Sequence, residues 1–247
     1  MRQGRKCWAV AKKDIQVYYR KGPVIIFGVL FPVFLFLAFA IGRDMPPQNL
    51  APGLIGMALF FTASATTPTV FPFETRTRTL ERLLASPLHL STLIAGDVLA
   101  AFLFGMVLSL LPVAISLTAL GAELHHPLIL IAAVLASGLC FSVLGTLLST
   151  PATDDPASIM TLANLVRLPL IFVSGVFLPI REMPEWGSIL SRISPLTYTT
   201  EALRHALGQE TSIGPGISLA MIVVFLCLFW FSALILHKQN IGKRLWT

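Results

Sequence analysis

The chain has 247 residues, of which 55% are hydrophobic and only 12% are charged, and its formal net charge is +6. An ordinary soluble domain carries about 25% charged residues. The charges here are too few to cover a soluble monomer, which excludes a soluble enzyme, a coiled coil and a disordered chain. The composition therefore predicts a helical membrane protein.

Six stretches are apolar enough to cross a bilayer as helices, which takes about 20 residues each. In lipid the backbone must satisfy its own hydrogen bonds, and no alternation at period two favours a barrel. We predict an all-α membrane protein with one transmembrane domain over 1–247. Its six transmembrane helices are expected at 23–41, 50–73, 93–120, 127–150, 157–178 and 215–236.

Basic residues orient these spans. Most of the 18 Lys and Arg residues lie before the first span, after the second span or in the tail. Because such residues stay on the cytoplasmic side, both termini are predicted to be cytoplasmic in a multi-pass protein of the cell (inner or plasma) membrane. Attraction to the anionic lipid bilayer explains the net charge, so no nucleic acid partner is expected.

Two segments outside the spans are predicted to be helical. In 1–22, Trp8, Ala11, Ile15 and Tyr18 recur at helical spacing among basic residues, which is typical of an amphipathic interfacial helix. The alternative is a disordered basic arm. The external segment 179–214 is too polar to span. It is expected to form short re-entrant or outer-leaflet helices between spans five and six, or else a surface hairpin.

Within 179–214 the boundaries of one helix can be predicted. Ser194-Pro195 supplies an N-cap followed by proline at the first helical position, and Gly208 can end the helix.

The segment 74–87, between the second and third spans, has the pattern of a short amphipathic helix. Leu80, Leu83 and Leu84 form one stripe, and Ser86 before Pro87 is pushed out of the helical region. A simple connection between two spans needs no such helix. A segment that transmits force from a soluble partner to the spans needs a helix of this kind, although a helix lying on lipid would show the same pattern.

The sequence Thr-Leu-Glu-Arg-Leu-Leu-Ala-Ser-Pro at 79–87 resembles the cytoplasmic signature of ABC type-2 permeases. Arg78 stands where that signature prefers glycine. The resemblance implies that 74–87 is the coupling helix, which docks into a groove of an ATP-binding cassette subunit. The implied contact residues are Leu80, Glu81, Arg82, Leu83 and Leu84.

A second match covers Ser174-Gly-Val-Phe-Leu-Pro179, Met183-Pro-Glu-Trp186 and Ser194-Pro-Leu-Thr-Tyr198. It resembles the external re-entrant region of the same family. The resemblance further implies two copies of the ATP-binding subunit, a second copy of this permease or a homologue, and a central path lined mainly by the second and fifth spans.

The chain lacks an ATP site. A P-loop needs glycines ahead of Gly-Lys-Ser/Thr to hold phosphates, and the only Gly-Lys pair, Gly242-Lys243, lacks the upstream glycine and the hydroxyl. No catalytic residue, cofactor site or metal site is therefore expected in this chain. ATP and Mg are expected on the partner subunit, whose closure would push the coupling helices and tilt the spans.

A few polar residues lie within the predicted spans. Thr62, Thr66 and Thr69 share one face of the second span and either line a path or pack helices. Asn164 and Arg167 share a face of the fifth span. Because a charge at that depth is costly, Arg167 should face protein or water, as an anchor for an anionic substrate headgroup or as a partner of Asp97, or else snorkel to the membrane surface.

The predicted function is that of the transmembrane subunit of an ABC exporter. It would move an amphipathic or lipid-like substrate, such as a drug, lipid or glycolipid, out of the cytoplasm or inner leaflet. The alternatives are an intramembrane lipid-modifying enzyme, which would need a nucleophile and a base at membrane depth, and an ion-coupled secondary carrier, which would need an acidic relay. The spans supply little for either.

Overall fold

The computed structural model describes residues 2–19, 30–31, 33–35, 37–38, 46–86 and 88–244, and these contain helices and loops without a strand. The all-α prediction is confirmed. A π-helical turn at Ile15–Tyr19 and a 3-10 turn at Ile180–Glu182 accompany ten α-helices that are described from end to end. They are α1 Arg2–Asp14, α2 Pro47–Ser64, α3 Thr67–Arg76, α4 Thr79–Ala85, α5 Leu90–Thr118, α6 Pro127–Leu148, α7 Pro156–Phe172, α8 Glu185–Ser191, α9 Pro195–Ala206 and α10 Pro215–Arg244.

Four helical stretches of the described residues are long and apolar enough to cross a membrane: Pro47–Arg76, Leu90–Thr118, Pro127–Leu148 and Pro215–Gly242. They correspond to the predicted second, third, fourth and sixth spans. α7 corresponds to the fifth span but is shorter, with 17 residues. Of the predicted first span, 23–41, the structure describes only 30–31, 33–35 and 37–38, which are helical; the rest, like Pro87, lies outside the described residues.

The second span is broken into two helices. α2 ends at Ser64 and α3 starts at Thr67, with Pro68 at the beginning of α3. Proline has no N–H to donate and its ring clashes with the preceding turn, so it is tolerated at a helix start and interrupts a helix interior. The break therefore lies just before Pro68.

The broken span forms the core of the bundle. Every residue of α2 from Ala51 to Ser64 is buried, and Phe60 packs edge-on against Phe141 of α6 with ring centroids 4.9 Å apart. Gly105 and Gly145 face the backbone of Ala63 and Ser64 so closely that an added Cβ would lie about 3.0 Å from it. Small residues thus allow the close helix packing that replaces hydrophobic attraction in lipid.

α10 covers one side of this core and exposes an apolar outer face. Val224, Leu228 and Phe231 are more than half exposed on it. Such a face suits contact with lipid chains.

One end of the bundle, which we call the basic end, holds α1 and α4. The starts of α5 and α7 and the C-terminal end of α10 lie at the same end. The ring of His237 of α10 lies tilted against that of Phe71 of α3, with centroids 4.3 Å apart, and Asn240 donates a hydrogen bond to the Thr150 carbonyl at 2.9 Å. These contacts fix the C-terminal half of α10 at this end.

The opposite end is formed by the segment 179–214 and the loop before α6. Two short helices, α8 and α9, occur in this segment, and α9 starts at Pro195 as predicted. The predicted cap is wrong, because the Ser194 hydroxyl makes no capping bond to α9 and donates to the Leu170 carbonyl at 3.1 Å instead. The chain leaves the direction of α9 at Gly208, which has a φ of 70°. His125 and His126 donate their backbone N–H groups to the Ala206 carbonyl at 3.1 and 2.9 Å, which ties the loop to the end of α9.

Candidate functional site

α4 at the basic end is a short helix with defined boundaries. It follows a tight turn at Thr77 and Arg78, where Arg78 has a φ of 55°. It ends at Ser86, whose extended backbone agrees with the prediction for the residue before Pro87. The Ser86 hydroxyl donates to the Leu83 carbonyl at 2.5 Å and closes the last turn.

The side chains of α4 divide into an anchored face and an exposed face. Leu80 is only 1% exposed and packs in an apolar cluster with Val10 of α1, Phe71 of α3 and Leu93 and Ile94 of α5.

The other four predicted contact residues of α4 are reachable to different degrees. Leu83 and Leu84 are half-buried against the same cluster, whereas Glu81 and Arg82 are exposed. Leu80 is buried and anchors the helix. Contact of a partner with any of the five residues stays a prediction.

α1 packs beside α4 on the start of α5. Its buried residues include Val10, Ala11 and Asp14, whereas Trp8 is 54% exposed. The buried face of α1 therefore differs from the predicted stripe of Trp8, Ala11, Ile15 and Tyr18. Because α1 meets α5 through Val10, Trp8 lies outside the buried face. A groove of about 430 Å³ remains between α1 and α4, lined by Lys6, Ala9, Val10, Lys13, Leu83, Ser86 and Leu88.

Charged side chains lie between α1 and the rest of the basic end. Lys13 Nζ is 2.9 Å from Asp14 Oδ1 and also forms an ion pair with Glu74 of α3. Burial alone would lower the pKa of Lys13, but the carboxylates of Glu74, Asp14 and Asp97 together raise it above its ordinary value. Lys13 is thus held as a cation that joins α1 to α3.

Sequence reasoning missed this charged cluster, although a signal was present. Asp14 lies four residues after Val10 and four before Tyr18, on the stripe that α1 and the following turn bury. A carboxylate on the buried stripe of an amphipathic helix requires a partner, because burying an unpaired charge is costly.

The threonine stripe is buried inside the bundle. The hydroxyl of Thr62 donates to the Leu59 carbonyl at 3.3 Å and that of Thr69 donates to the Thr66 carbonyl at 2.8 Å. Thr66 lies in the break between α2 and α3 and is also buried. Both hydrogen bonds stay within one helical turn, and the burial of all three threonines favours helix packing within this chain. Lining of a path stays a prediction.

Arg167 of α7 is 1% exposed, and its Nη1 donates to Asn164 Oδ1 at 3.4 Å. Among the described residues it makes no ion pair, and its Nε and Nη2 find no hydrogen-bond acceptor. The alternative in which it pairs with Asp97 is wrong in this structure, because Asp97 lies with Asp14, Glu74 and Lys13 beneath α1.

The opposite end holds a polar cavity of about 600 Å³ between α9, the loop before α6 and the start of α2. Arg204, which lines it, is buried and donates from Nη2 to the Gly175 carbonyl at 3.0 Å. Burial lowers the pKa of Arg204, while Glu201, 3.8 Å from its Nε, opposes that shift. Glu201 also accepts the backbone N–H groups of Ser212 and Ile213, which fixes the chain before α10.

Comparison with known proteins assigns the fold to a family. Residues 5–207 match the ABC-2 type transporter family. The chain belongs to that family. The inner membrane transport permease YadH of Escherichia coli (strain K12) is 26% identical over 227 residues, covering 90% of this chain and 88% of YadH. Nodulation protein J of Sinorhizobium fredii (strain NBRC 101917 / NGR234) is 23% identical over 197 residues, or 79% and 73% of the two chains.

Membership makes this ABC-2 chain a multi-pass membrane subunit of an ABC transporter, a permease-type component that pairs with an ATP-binding cassette subunit. At the basic end, α1 and α4 stand outside the long apolar helices and present exposed polar side chains.

The turn before α4 yields a testable prediction. A residue with a Cβ in the left-handed region costs roughly 1–2 kcal/mol, whereas glycine adopts it freely. We expect Arg78→Gly to stabilise α4 by about 0.5–1 kcal/mol, measured as slower hydrogen exchange of its amides, because relief of strain exceeds the larger entropy of an unfolded glycine. Arg78→Ala removes the same charge but keeps the Cβ, and equal effects of the two substitutions would contradict the strain explanation.

Proposed function

We propose that this chain is the transmembrane subunit of an exporter driven by ATP that a separate subunit hydrolyses. Two copies of that ATP-binding subunit, carrying ATP and Mg, dock at the basic end, which lies in the cytoplasm with both termini. The membrane is the inner membrane, in keeping with the name of the relative, inner membrane transport permease YadH.

The construction of α4 is the observation that carries this proposal. The helix is fixed at its start by the turn at Arg78 and held by Leu80 in the apolar cluster, while Glu81 and Arg82 point outward. A helix anchored to α1, α3 and α5 at once can move those elements together when it is pushed. An exposed charged face also suits a soluble protein partner better than acyl chains do.

A second transmembrane chain is proposed to pack on α7. This helix exposes Leu162, Leu165 and Phe172, and Leu165 is 70% exposed. Contact with a second copy or a homologue would place two α7 helices near a shared central path.

The cargo is proposed to be amphipathic or lipid-like, moved out of the cytoplasm or inner leaflet. Arg167 supports this proposal, since it is a buried cation with two nitrogens free of hydrogen-bond acceptors, and Asn164 lies beside it. An anionic headgroup would supply the missing acceptors. Thr62, Thr66 and Thr69 of the broken span are the further proposed contacts along this path.

Capture of the ATP-binding subunit tests the proposal. The detergent-solubilised chain is expected to retain a P-loop ATPase, and Glu81→Arg is expected to weaken binding on the order of a hundredfold, because like charges brought together at an interface cost several kcal/mol. Glu123→Arg is the matched control, since Glu123 is exposed at the opposite end. Equal capture by both variants, or a wild-type chain that captures no P-loop protein, would contradict the proposal.

A further inference from the structure

Three carboxylates lie together beneath α1, and one lysine faces them. Asp14 of α1, Glu74 of α3 and Asp97 of α5 are fully shielded from solvent. Lys13 is shared between Asp14 and Glu74. One ammonium group can neutralise only one of three carboxylates, so two negative charges would remain in a dry site if all three were ionised.

Asp97 neither forms an ion pair nor accepts a hydrogen bond among the described residues. It follows Gly96, which packs against Val10 and Cys7 of α1, and the Asp14 carboxyl acts on it electrostatically. A buried carboxylate without a donor costs several kcal/mol, and two adjacent carboxylates cannot both stay ionised in such a place. One proton between them supplies the missing donor and removes the repulsion.

The titratable groups facing this pair do not supply that donor. They are Lys13, Tyr18 and Tyr19 from α1 and its following turn, and Glu74 from α3. The Tyr19 hydroxyl is engaged with Thr67 Oγ1 at 3.2 Å. Burial raises the pKa of Tyr19, so it stays a neutral phenol.

A metal ion does not fit the cluster. No group of three or more Asp, Glu, His or Cys side chains in the described part of the chain has the spacing of a metal site. Lys13 also occupies the position between Asp14 and Glu74 that a cation would need. The ligand that suits the remaining gap is a proton.

We propose that Asp14 and Asp97 form a proton-binding site that holds one shared proton at neutral pH. The O–H of one carboxyl donates to the carboxylate of the other and fastens α1 to α5 beside Gly96, which packs against Val10 and the Cys7 carbonyl of α1. Release of the proton at alkaline pH leaves two like charges in contact and loosens α1. This site goes beyond the proposed function and does not depend on it.

The sign of the pH dependence follows from proton linkage. An unfolded aspartate, with a pKa of about 3.9, is ionised at neutral pH. The folded chain therefore binds one more proton than the unfolded chain, and the site stabilises the fold less as the pH rises. Over the pH range in which the folded pair keeps its proton, each pH unit of increase raises the unfolding equilibrium constant about tenfold through this site.

Substitution of the pair separates a shared proton from two ionised groups. In Asp97→Asn the amide donates to Asp14 at every pH. We therefore expect the tenfold rise of the unfolding equilibrium constant per pH unit to be absent when unfolding is measured as a function of pH. Asp154→Asn, at an exposed position before α7, should keep the wild-type profile. Wild-type and Asp97→Asn profiles that run parallel would overturn the proposal.

Infrared spectroscopy gives an independent test that needs only the wild-type protein to fold. The chain is labelled with carboxyl-¹³C aspartate in a detergent without ester carbonyls. We expect one protonated-aspartate carbonyl band at neutral pH, lost at alkaline pH and absent from Asp97→Asn, but present in Asp154→Asn. No such band in the wild type, or an unchanged band in Asp97→Asn, would show that the pair holds no proton.

Discussion

Replacing Gly96 with alanine is expected to lower the thermal stability of the protein and loosen α1 from α5. An added Cβ would lie 2.6 Å from the Cβ and Cγ1 of Val10 and 3.1 Å from the Cys7 carbonyl. Neither group is the mobile end of a long side chain, so α1 itself must shift. Overpacking of this kind costs about 1–3 kcal/mol.

Two measurements check the Gly96→Ala prediction. The thermal midpoint should fall, and Cys7 should react faster with a maleimide in a Cys227→Ser background, because burial raises the pKa of the Cys7 thiol and release of α1 reverses that shift. Gly4→Ala is the control on the same helix, since nothing lies within 4 Å of its added Cβ. An unchanged midpoint and alkylation rate in Gly96→Ala would contradict the close α1–α5 packing.

Truncating Leu80 to alanine is expected to release α4 from the bundle. Leu80 fills the cluster formed with Val10, Phe71, Leu93 and Ile94, and removing a buried leucine side chain costs about 2–5 kcal/mol. The loss should appear as faster hydrogen exchange across Thr79–Ala85. The neighbouring exposed Arg82 supplies the control, because surface substitutions usually stay within about 0.5 kcal/mol.

Comparable exchange of α4 in Leu80→Ala and Arg82→Ala would be inconsistent with an anchored helix. It would mean that α4 is held by its flanking turns alone. The exposed face would then transmit little force to α1, α3 and α5.

Local signals in the sequence predicted the short helices well. The stripe of Leu80, Leu83 and Leu84 and the stop before Pro87 placed α4, although the helix starts only at Thr79 because Thr77 and Arg78 form a turn. Ser194-Pro195 and Gly208 likewise marked the two ends of α9. Prolines and glycines act within a few residues, so the sequence displays them directly.

Contacts between distant elements could not be predicted in the same way. The pattern of α1 does not reveal that Val10 meets Gly96, and this contact turns Trp8 outward. Charge alone made Asp97 a plausible partner for Arg167, whereas packing places it beside Asp14. Which helix faces which neighbour depends on three-dimensional packing that periodicity does not encode.

Site-directed photo-crosslinking in native membranes tests whether α4 contacts an ATP-binding partner, as we propose. A photoreactive phenylalanine derivative is placed at the exposed Arg82, or at the exposed Trp186 of α8 at the opposite end. We expect an adduct with a P-loop ATPase from position 82 and none from position 186. Adducts with lipid alone from position 82, or the same ATPase adduct from both positions, would contradict the proposed contact.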